Sequence, residues 1–509
     1  MRLAAIDVGS NSLHLIIADV TLAGQIEIVD RVKEMVRLGR RSFTTGHLTD
    51  EAMDLSIRTL AYFRRVADLR RVEKMRAVAT SAVREARNRG EFIRRIKAET
   101  GIEVEVISGK EEAQLIFAAA QHAMGLEGGP YLLVDVGGGS VEFVLVKDSQ
   151  PLWMKSLKLG AARLTERFLP DDPPTAAQRK RLERHLEEEI GDLMHEARRA
   201  GVVRAIGTSS SINTLVAMAR AARGEELGRL HGAVASADEI SEVTEQLLEV
   251  NAATRVELPG IDTKRIDQIG AAALLADFVL HHSGAPELTA CGWAMREGLL
   301  LGLIPQPGPR RSPDARRRSV SGLASRFAGK NVHGRHVARL ALNLFDITAP
   351  VLGLNGAARE LLEYAALLHD VGHAIDHDRH NRHSYYLIKN GELLGFDPSE
   401  IEILALAARG HRKQGGQFYP EELGDLSPIA RRTARGLAAI LRVADGLDRS
   451  HFGVVKRLKA SFSPGRMVVE VNTGRESVDL ELWTCERRTD LLAKLLDRRI
   501  ILQPEDRPS

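Results

Sequence analysis

Residues 131–146 read YLLVDVGGGSVEFVLV, two apolar runs enclosing a glycine-rich turn. That pattern predicts two strands joined by a tight loop. The same arrangement opens the chain, where LAAIDV (3–8) and LHLIIADV (13–20) enclose a Gly-Ser-Asn-Ser turn. Setting Asp7 on Asp135 aligns DVGSNS with DVGGGS, four identities in six positions. Internal duplication of an α/β unit predicts two lobes whose loops face each other across a cleft. The alignment is asymmetric in one place, where Glu142 falls opposite His14.

Working outward, segments 51–68 and 91–99 have helical periodicity, 102–107 alternates like a strand, and helices are expected at 176–200, 237–251 and 270–280. Strands interleaved with helices indicate an α/β class. Residues 306–318, QPGPRRSPDARRR, combine Pro and Arg without apolar periodicity and read as a linker. Beyond it, 332–350, 355–370, 398–413 and 428–447 read as helices. The expected organisation is therefore a lobe at 1–125, a second at 126–305, the linker 306–318, and an all-α domain at 319–509.

Composition sets the outer limits. A chain of 509 residues suggests roughly three domains. With 44% apolar and 27% charged residues it is ordinary globular material, which excludes a disordered or collagen-like chain. A net charge of +3 does not call for nucleic acid, although residues 1–100 carry 19 Lys/Arg against 13 Asp/Glu. Cys291 and Cys485 offer neither metal spacing nor a disulfide framework, which fits a reducing cytoplasm. No run of eighteen apolar residues occurs, so a membrane span is not expected.

Glycine loops let backbone N–H groups approach an anion closely, because no Cβ intervenes. Gly9-Ser10-Asn11-Ser12 and Gly137-Gly138-Gly139-Ser140 are such loops, and Ser10, Ser12 and Ser140 add hydroxyl donors. Asp7 and Asp135, each ending the preceding strand, are suited to hold Mg²⁺ beside a bound phosphate. One such loop reads equally as a tight turn. Two matching loops, each preceded by Asp, point to phosphate binding. Neither fits the Walker or dinucleotide patterns.

With ISGKEEAQLIF (107–117), VRLG (36–39), ATSAVREARN (79–88), AIGTSSS (205–211) and CGWAMREGLLLGL (291–303), these loops resemble the exopolyphosphatase / guanosine pentaphosphate phosphatase family over roughly residues 3–302. The resemblance implies two ribonuclease-H-like lobes of the actin, sugar-kinase and heat-shock ATPase superfamily. It implies Mg²⁺-dependent hydrolysis of the terminal phosphoanhydride of inorganic polyphosphate, or of the 5′-terminal phosphate of guanosine pentaphosphate, and a homodimer. Glu112 would orient and deprotonate the attacking water, and Glu142 would support the water or the metal from the other lobe. Adjacent helical residues point about 100° apart, so only one of Glu111 and Glu112 can face the cleft. Arg84 and Arg37 stand in family-like motifs and could bind phosphate oxygens or form ion pairs within a lobe. Competing readings are an ATP-dependent sugar or carboxylate kinase of the same superfamily and a non-enzymatic nucleotide switch.

Eight of the seventeen histidines fall in residues 331–411. His369-Asp370 closes an apolar run, and a mix of imidazole and carboxylate suits a first-row divalent metal. The pattern resembles an HD-type phosphohydrolase domain, which implies His333, His369, Asp370 and Asp445 as ligands. A second metal would recruit His383 and His411, whereas His377 and His380 read as solvated loop residues.

Overall fold

The computed structural model describes residues 1–20, 26–225, 228–304, 315–329, 331–412, 426–473 and 477–505. It divides into two compact units, Met1–Ala315 and Arg316–Ser509.

The first unit contains two sheets. In the first, β1 (Arg2–Val8) pairs antiparallel with β2 (Ser12–Val20), which pairs with β3 (Ile26–Met35). On the other side of β1 run β4 (Lys74–Ala79) and β5 (Val104–Val106), both parallel, so the order is β3-β2-β1-β4-β5. The second sheet repeats this plan with β6 (Tyr131–Val136), β7 (Val141–Lys147), β8 (Gln150–Leu157), β9 (Arg204–Gly207), β10 (Val234–Ser236) and β11 (Glu287–Ala290). Its order is β8-β7-β6-β9-β11-β10, the same five-strand plan with β10 added at the edge. Strand register makes the duplication explicit: Asp7 pairs with His14 across β1–β2, and Asp135 pairs with Glu142 across β6–β7.

Near-continuous apolar burial in β1, β2, β6 and β7 follows from sheets covered on both faces. The helix Gly109–Met124 starts at Ser108, whose hydroxyl accepts the Glu111 N–H at 3.2 Å. The helix Met295–Leu303 then returns from the second sheet to the first. Its Leu299 and Leu300 share a core with Leu3, Ile16 and Ile116. The expected division at 125/126 and 305 therefore needs amendment, because the end of the second segment packs as part of the first lobe.

Two further expectations change. Residues 306–314 of the proposed linker lie outside the described residues, and Ala315–Arg318 open the helix Ala315–Ala328. Past the prolines, arginine is a good helix former, and Arg316 pairs with Glu360 and Glu400 over the Phe396 ring. The second unit is also not all-α. Its helices, among them Val332–Leu352, Gly356–Leu368, Pro398–Gly410 and Pro428–Gly446, are joined by a three-stranded sheet. There β12 (Arg457–Ser463), β13 (Arg466–Asn472) and β14 (Arg499–Pro504) line up in sequence order. Alternating burial in β13, with Met467, Val469 and Val471 inward, is the one-faced strand pattern.

Candidate active site

Both glycine loops are built alike. Gly9 N–H donates to the Ser12 carbonyl at 3.2 Å and Gly137 N–H to the Ser140 carbonyl at 3.0 Å. Behind each loop, a following segment takes up its carbonyls. In the first, Gly39 N–H donates to Ser10 O, and Val36 and Arg37 N–H donate to Asn11 O. In the second, Ala161 N–H donates to Gly137 O, and Ala162 and Arg163 N–H donate to Gly138 O. The Arg163 Nε–H adds a bond to Gly139 O at 3.0 Å. A trans peptide points its C=O and its N–H in opposite directions. Tying the carbonyls back therefore turns the amides of Asn11, Ser12, Gly138, Gly139 and Ser140 away from those segments.

The loops meet. A Cβ built on Gly138 would lie 3.3 Å from Ser10 Cβ and 3.4 Å from Asn11 Cβ. Between them is a cavity of about 110 Å³, which both loops line together with Asp7, Asp135, Glu112 and Arg296. That volume holds several waters or a phosphoryl group. Gly138→Val would wedge a branched side chain between the loops without left-handed strain, since Gly138 has no positive φ. We expect KM for the phosphate substrate to rise with little change in Tm; a large fall in Tm would mark the loop as only structural.

Four carboxyl groups are buried around this cavity. Burial pushes Asp7 up to about 7, against the opposing pull of Arg296 and with help from Glu112 and Asp135. Burial likewise raises Glu112 to about 7, although Arg84 Nη1 donates to its Oε2 at 2.9 Å. Asp135 is raised by burial despite accepting the Thr208 hydroxyl. Glu142, buried beside Glu112 and Asp135, is held well above the usual range, and Ser156 Oγ donates to its Oε1 at 2.7 Å. Asp7 Oδ1 is buried with no hydrogen-bond partner among the described residues.

These shifts have a consequence for stability. The folded chain keeps protons on Asp7 and Glu112 that the unfolded chain releases near 3.8 and 4.5. Their contribution is therefore fully present below those values and is lost as pH rises through about 7. With chelator present, the first unit should lose on the order of a few kcal/mol across that window. The Tm of Asp7→Asn should fall less steeply over the same range. Parallel profiles for the two proteins would contradict the burial argument.

Glu111 and Glu112 divide as the helix geometry requires. Glu111 turns outward to Arg76 at 2.8 Å, and Glu112 faces the cavity. Arg84 is committed to Glu112 and, at 3.0 Å, to the Ile107 carbonyl, so here it positions Glu112 instead of lining the cavity. Arg37 supports the first loop through its backbone, and its guanidinium lies 3.6 Å from Asp267.

Sequence reasoning missed three groups. Arg296 Nη1 donates to His14 Nδ1 at 2.5 Å, so His14 Nε2 carries the proton and donates to Ser12 Oγ at 2.7 Å. Burial and Arg296 hold this imidazole neutral. Arg265 lines the cavity and donates to Ser211 Oγ at 3.2 Å. Thr208 holds Asp135. AIGTSSS and CGWAMREG contained Thr208 and Arg296, but no spacing rule linked them to the loops.

In the second unit, His333, His369 and Asp445 come together, as do His369, Asp370 and His411. His383 does not join them and is replaced by His373 and His380. The helix His380–Asn390 buries His380 and Ser384, and a residue one position before Ser384 lies about 100° around it. The solvated reading of His380 is therefore overturned: it is fully buried.

Comparison with known proteins places this geometry. The Ppx/GppA phosphatase family model matches residues 16–306, and the Ppx/GppA phosphatase domain III model matches residues 315–477. A guanosine-5′-triphosphate,3′-diphosphate pyrophosphatase of Pseudoalteromonas translucida is 30% identical over 447 residues, 87% of this chain and 86% of that protein. An exopolyphosphatase structure from Cytophaga hutchinsonii has a TM-score of 0.57 at 31% identity, covering 60% of this chain and 99% of that one. A Ppx/GppA family member from Aquifex aeolicus gives a TM-score of 0.52 at 30% identity, covering 59% of this chain and 97% of its own. With both family models matched in chain order and the relative aligned over most of its length, this chain belongs to the Ppx/GppA phosphatase family.

Proposed function

We propose that the chain hydrolyses the terminal phosphoanhydride of inorganic polyphosphate or the 5′-terminal phosphate of guanosine pentaphosphate. The observation that carries this reading is the pairing of two tied-back glycine loops with a buried carboxyl, Glu112, in one cavity. Displacement at phosphorus asks a protein mainly for an oriented water and donors facing the oxygens. The loop amides, Ser10 and Ser140 supply donors. Glu112, with its pKa near 7 and its carboxyl fixed by Arg84, orients a water and takes its proton. Water oxygen bonds to the terminal phosphorus, the bridging P–O bond breaks, and the shortened substrate leaves with orthophosphate as the second product. Glu142 stands beside it, held well above the usual carboxylate range by burial and by the neighbouring Glu112 and Asp135.

Phosphatases of this family are generally divalent-metal dependent. The four carboxyls and the unpartnered Asp7 oxygen suit a hard cation such as Mg²⁺, with Asp7 and Asp135 as its holders. When bound, Mg²⁺ would supply positive charge against the phosphoryl oxygens. Among the described residues no helix is long and apolar enough to cross a membrane. Both cysteines are free and buried, in keeping with a reducing cytoplasm. The homodimer expected from the resemblance is part of the same reading.

Orthophosphate release from polyphosphate and from guanosine pentaphosphate, each with Mg²⁺ and with chelator, tests the reading. Release from at least one, abolished by chelator, is expected. A folded protein that releases phosphate from neither overturns it.

A further inference from the structure

We infer that His14 and Arg296 set the polarity of the Ser12 hydroxyl, fixing it as a hydrogen-bond donor to the phosphoryl group that enters the cavity. Both are positioning residues that act through Ser12, and their role rests on the phosphate chemistry proposed above. A guanidinium only donates. Arg296 Nη1 lies 2.5 Å from His14 Nδ1, so that nitrogen is bare and the ring proton sits on Nε2. Nε2 in turn donates to Ser12 Oγ at 2.7 Å. A hydroxyl has one proton and two lone pairs. With one lone pair filled from behind, the Ser12 proton needs an acceptor elsewhere, and the described residues give it none. Ser12 is 4% exposed and lines the cavity. A phosphoryl oxygen arriving there is the acceptor that the proton lacks.

Strand geometry brings these groups together. Ser12 and His14 stand two apart on β2, and residues at that spacing share a face. Asp7 lies directly opposite His14 on β1, and Lys33 directly opposite on β3. Neither takes the imidazole proton from Ser12. An ammonium group accepts nothing, and Asp7 Oδ1 has no hydrogen-bond partner among the described residues. Arg296 comes from the far end of the unit, in the first turn of the helix Met295–Leu303. Glu297 Oε2 accepts the Ala294 N–H at 2.9 Å, which fixes the turn from which Arg296 reaches His14.

Ser10, in the same loop, is arranged alike: its Oγ accepts the Ala82 N–H at 3.1 Å and it too lines the cavity. Both hydroxyls of the first loop thus receive a donor from behind, which frees both protons for an anion. At the matching position of the second lobe, opposite Asp135, stands Glu142. The duplicated row therefore carries a carboxyl in one lobe and a proton-donating imidazole in the other. Turned the other way, the Ser12 hydroxyl would set lone pairs against anionic oxygen. Hydrogen bonds to charged groups are the strong ones, so the direction of this proton matters. Phosphoryl oxygens carry charge both before and during attack, so the bond acts on binding more than on the rate constant.

Steady-state orthophosphate release with Mg²⁺, and calorimetric binding of orthophosphate alone, test this on the full-length chain. Ser12→Ala and His14→Leu should each raise KM about 10–100-fold and leave kcat within a few-fold of wild type. Orthophosphate affinity should fall by a similar factor. The double variant should be no worse than either single one, because both changes remove the same bond. His14→Gln should recover most of the loss, since its amide can accept from Arg296 and donate to Ser12. Circular dichroism confirms folding of each protein. Additive losses in the double variant, or a folded His14→Gln no better than His14→Leu, overturn the proposal. Ser12→Ala deletes a single oxygen and decides even where a His14 variant fails to fold: unchanged KM and orthophosphate affinity remove the role. A wild type that binds orthophosphate but releases none refutes the hydrolase reading instead, and the variants' binding constants then judge His14. A wild type that does neither overturns both.

Discussion

Glu112→Gln is expected to fold normally and to release orthophosphate about 10²–10⁴-fold more slowly than wild type, the range for loss of a general base. Gln keeps the volume and can still accept from Arg84, which is partly solvated at 22% exposure. What it cannot do is take a proton. The same argument fixes the sign of the pH profile. Below about 7 the Glu112 carboxyl is protonated and idle, so wild-type turnover should climb as pH rises through that value. Glu111→Gln, on the neighbouring residue that faces Arg76, should stay near wild-type activity. Steady-state rates for both variants across pH 5–9 check the pair, and near-normal turnover by folded Glu112→Gln would remove Glu112 from the mechanism.

Gly160→Ala should be nearly as damaging by a different route. A Cβ at position 160 would fall within contact distance of backbone atoms of Gly138 and Gly139, which have no side-chain rotamer with which to yield. Either the loop moves or the helix Ala161–Phe168 does, and both break the bonds from residues 161–163 to the loop carbonyls. Overpacking of this kind costs about 1–3 kcal/mol. Displacing the donors by about 1 Å can cost ~10²-fold in rate. Gly322→Ala is the counterpart, because its Cβ would meet open space within a helix. There Ala should stabilise by up to about 1 kcal/mol and leave activity alone. Denaturant melts and phosphate release measured on both variants test this; equal stability and activity for Gly160→Ala would refute the close approach.

The duplicated strand–loop–strand units were legible because period-2 apolar runs, Gly turns and a repeated Asp are local signals. The Asp135–Glu142 register followed from that alignment without further information. Glu112 against Glu111 was legible only as an either-or, since helix periodicity says that two neighbours diverge but not which one faces inward. His14 and Arg296 are 282 residues apart, and their contact exists only because the last helix of the unit packs back on β1 and β2. In the second unit the His369-Asp370 pair was visible as an adjacent pair. The choice of His380 over His383 depends on where a helix begins, and boundaries are the least legible feature of a sequence. The sheet β12-β13-β14 escaped notice because its strands are short and one-faced, and its parallel partner β14 follows two helices later.

The backbone bonds that tie the loop carbonyls to residues 36–39 and 161–163 also bear on the entropy of binding. A lysine or arginine that reaches for a phosphate surrenders up to about 2 kcal/mol of rotamer freedom. Main-chain amides already fixed from behind surrender almost none. The loops are thus rigid before any anion arrives, and every phosphoryl group presents them with the same oxygens. They hold a phosphate at low entropic cost but cannot tell one phosphate-bearing molecule from another. Discrimination among substrates has to come from side chains farther out, where contacts with the rest of the molecule are made.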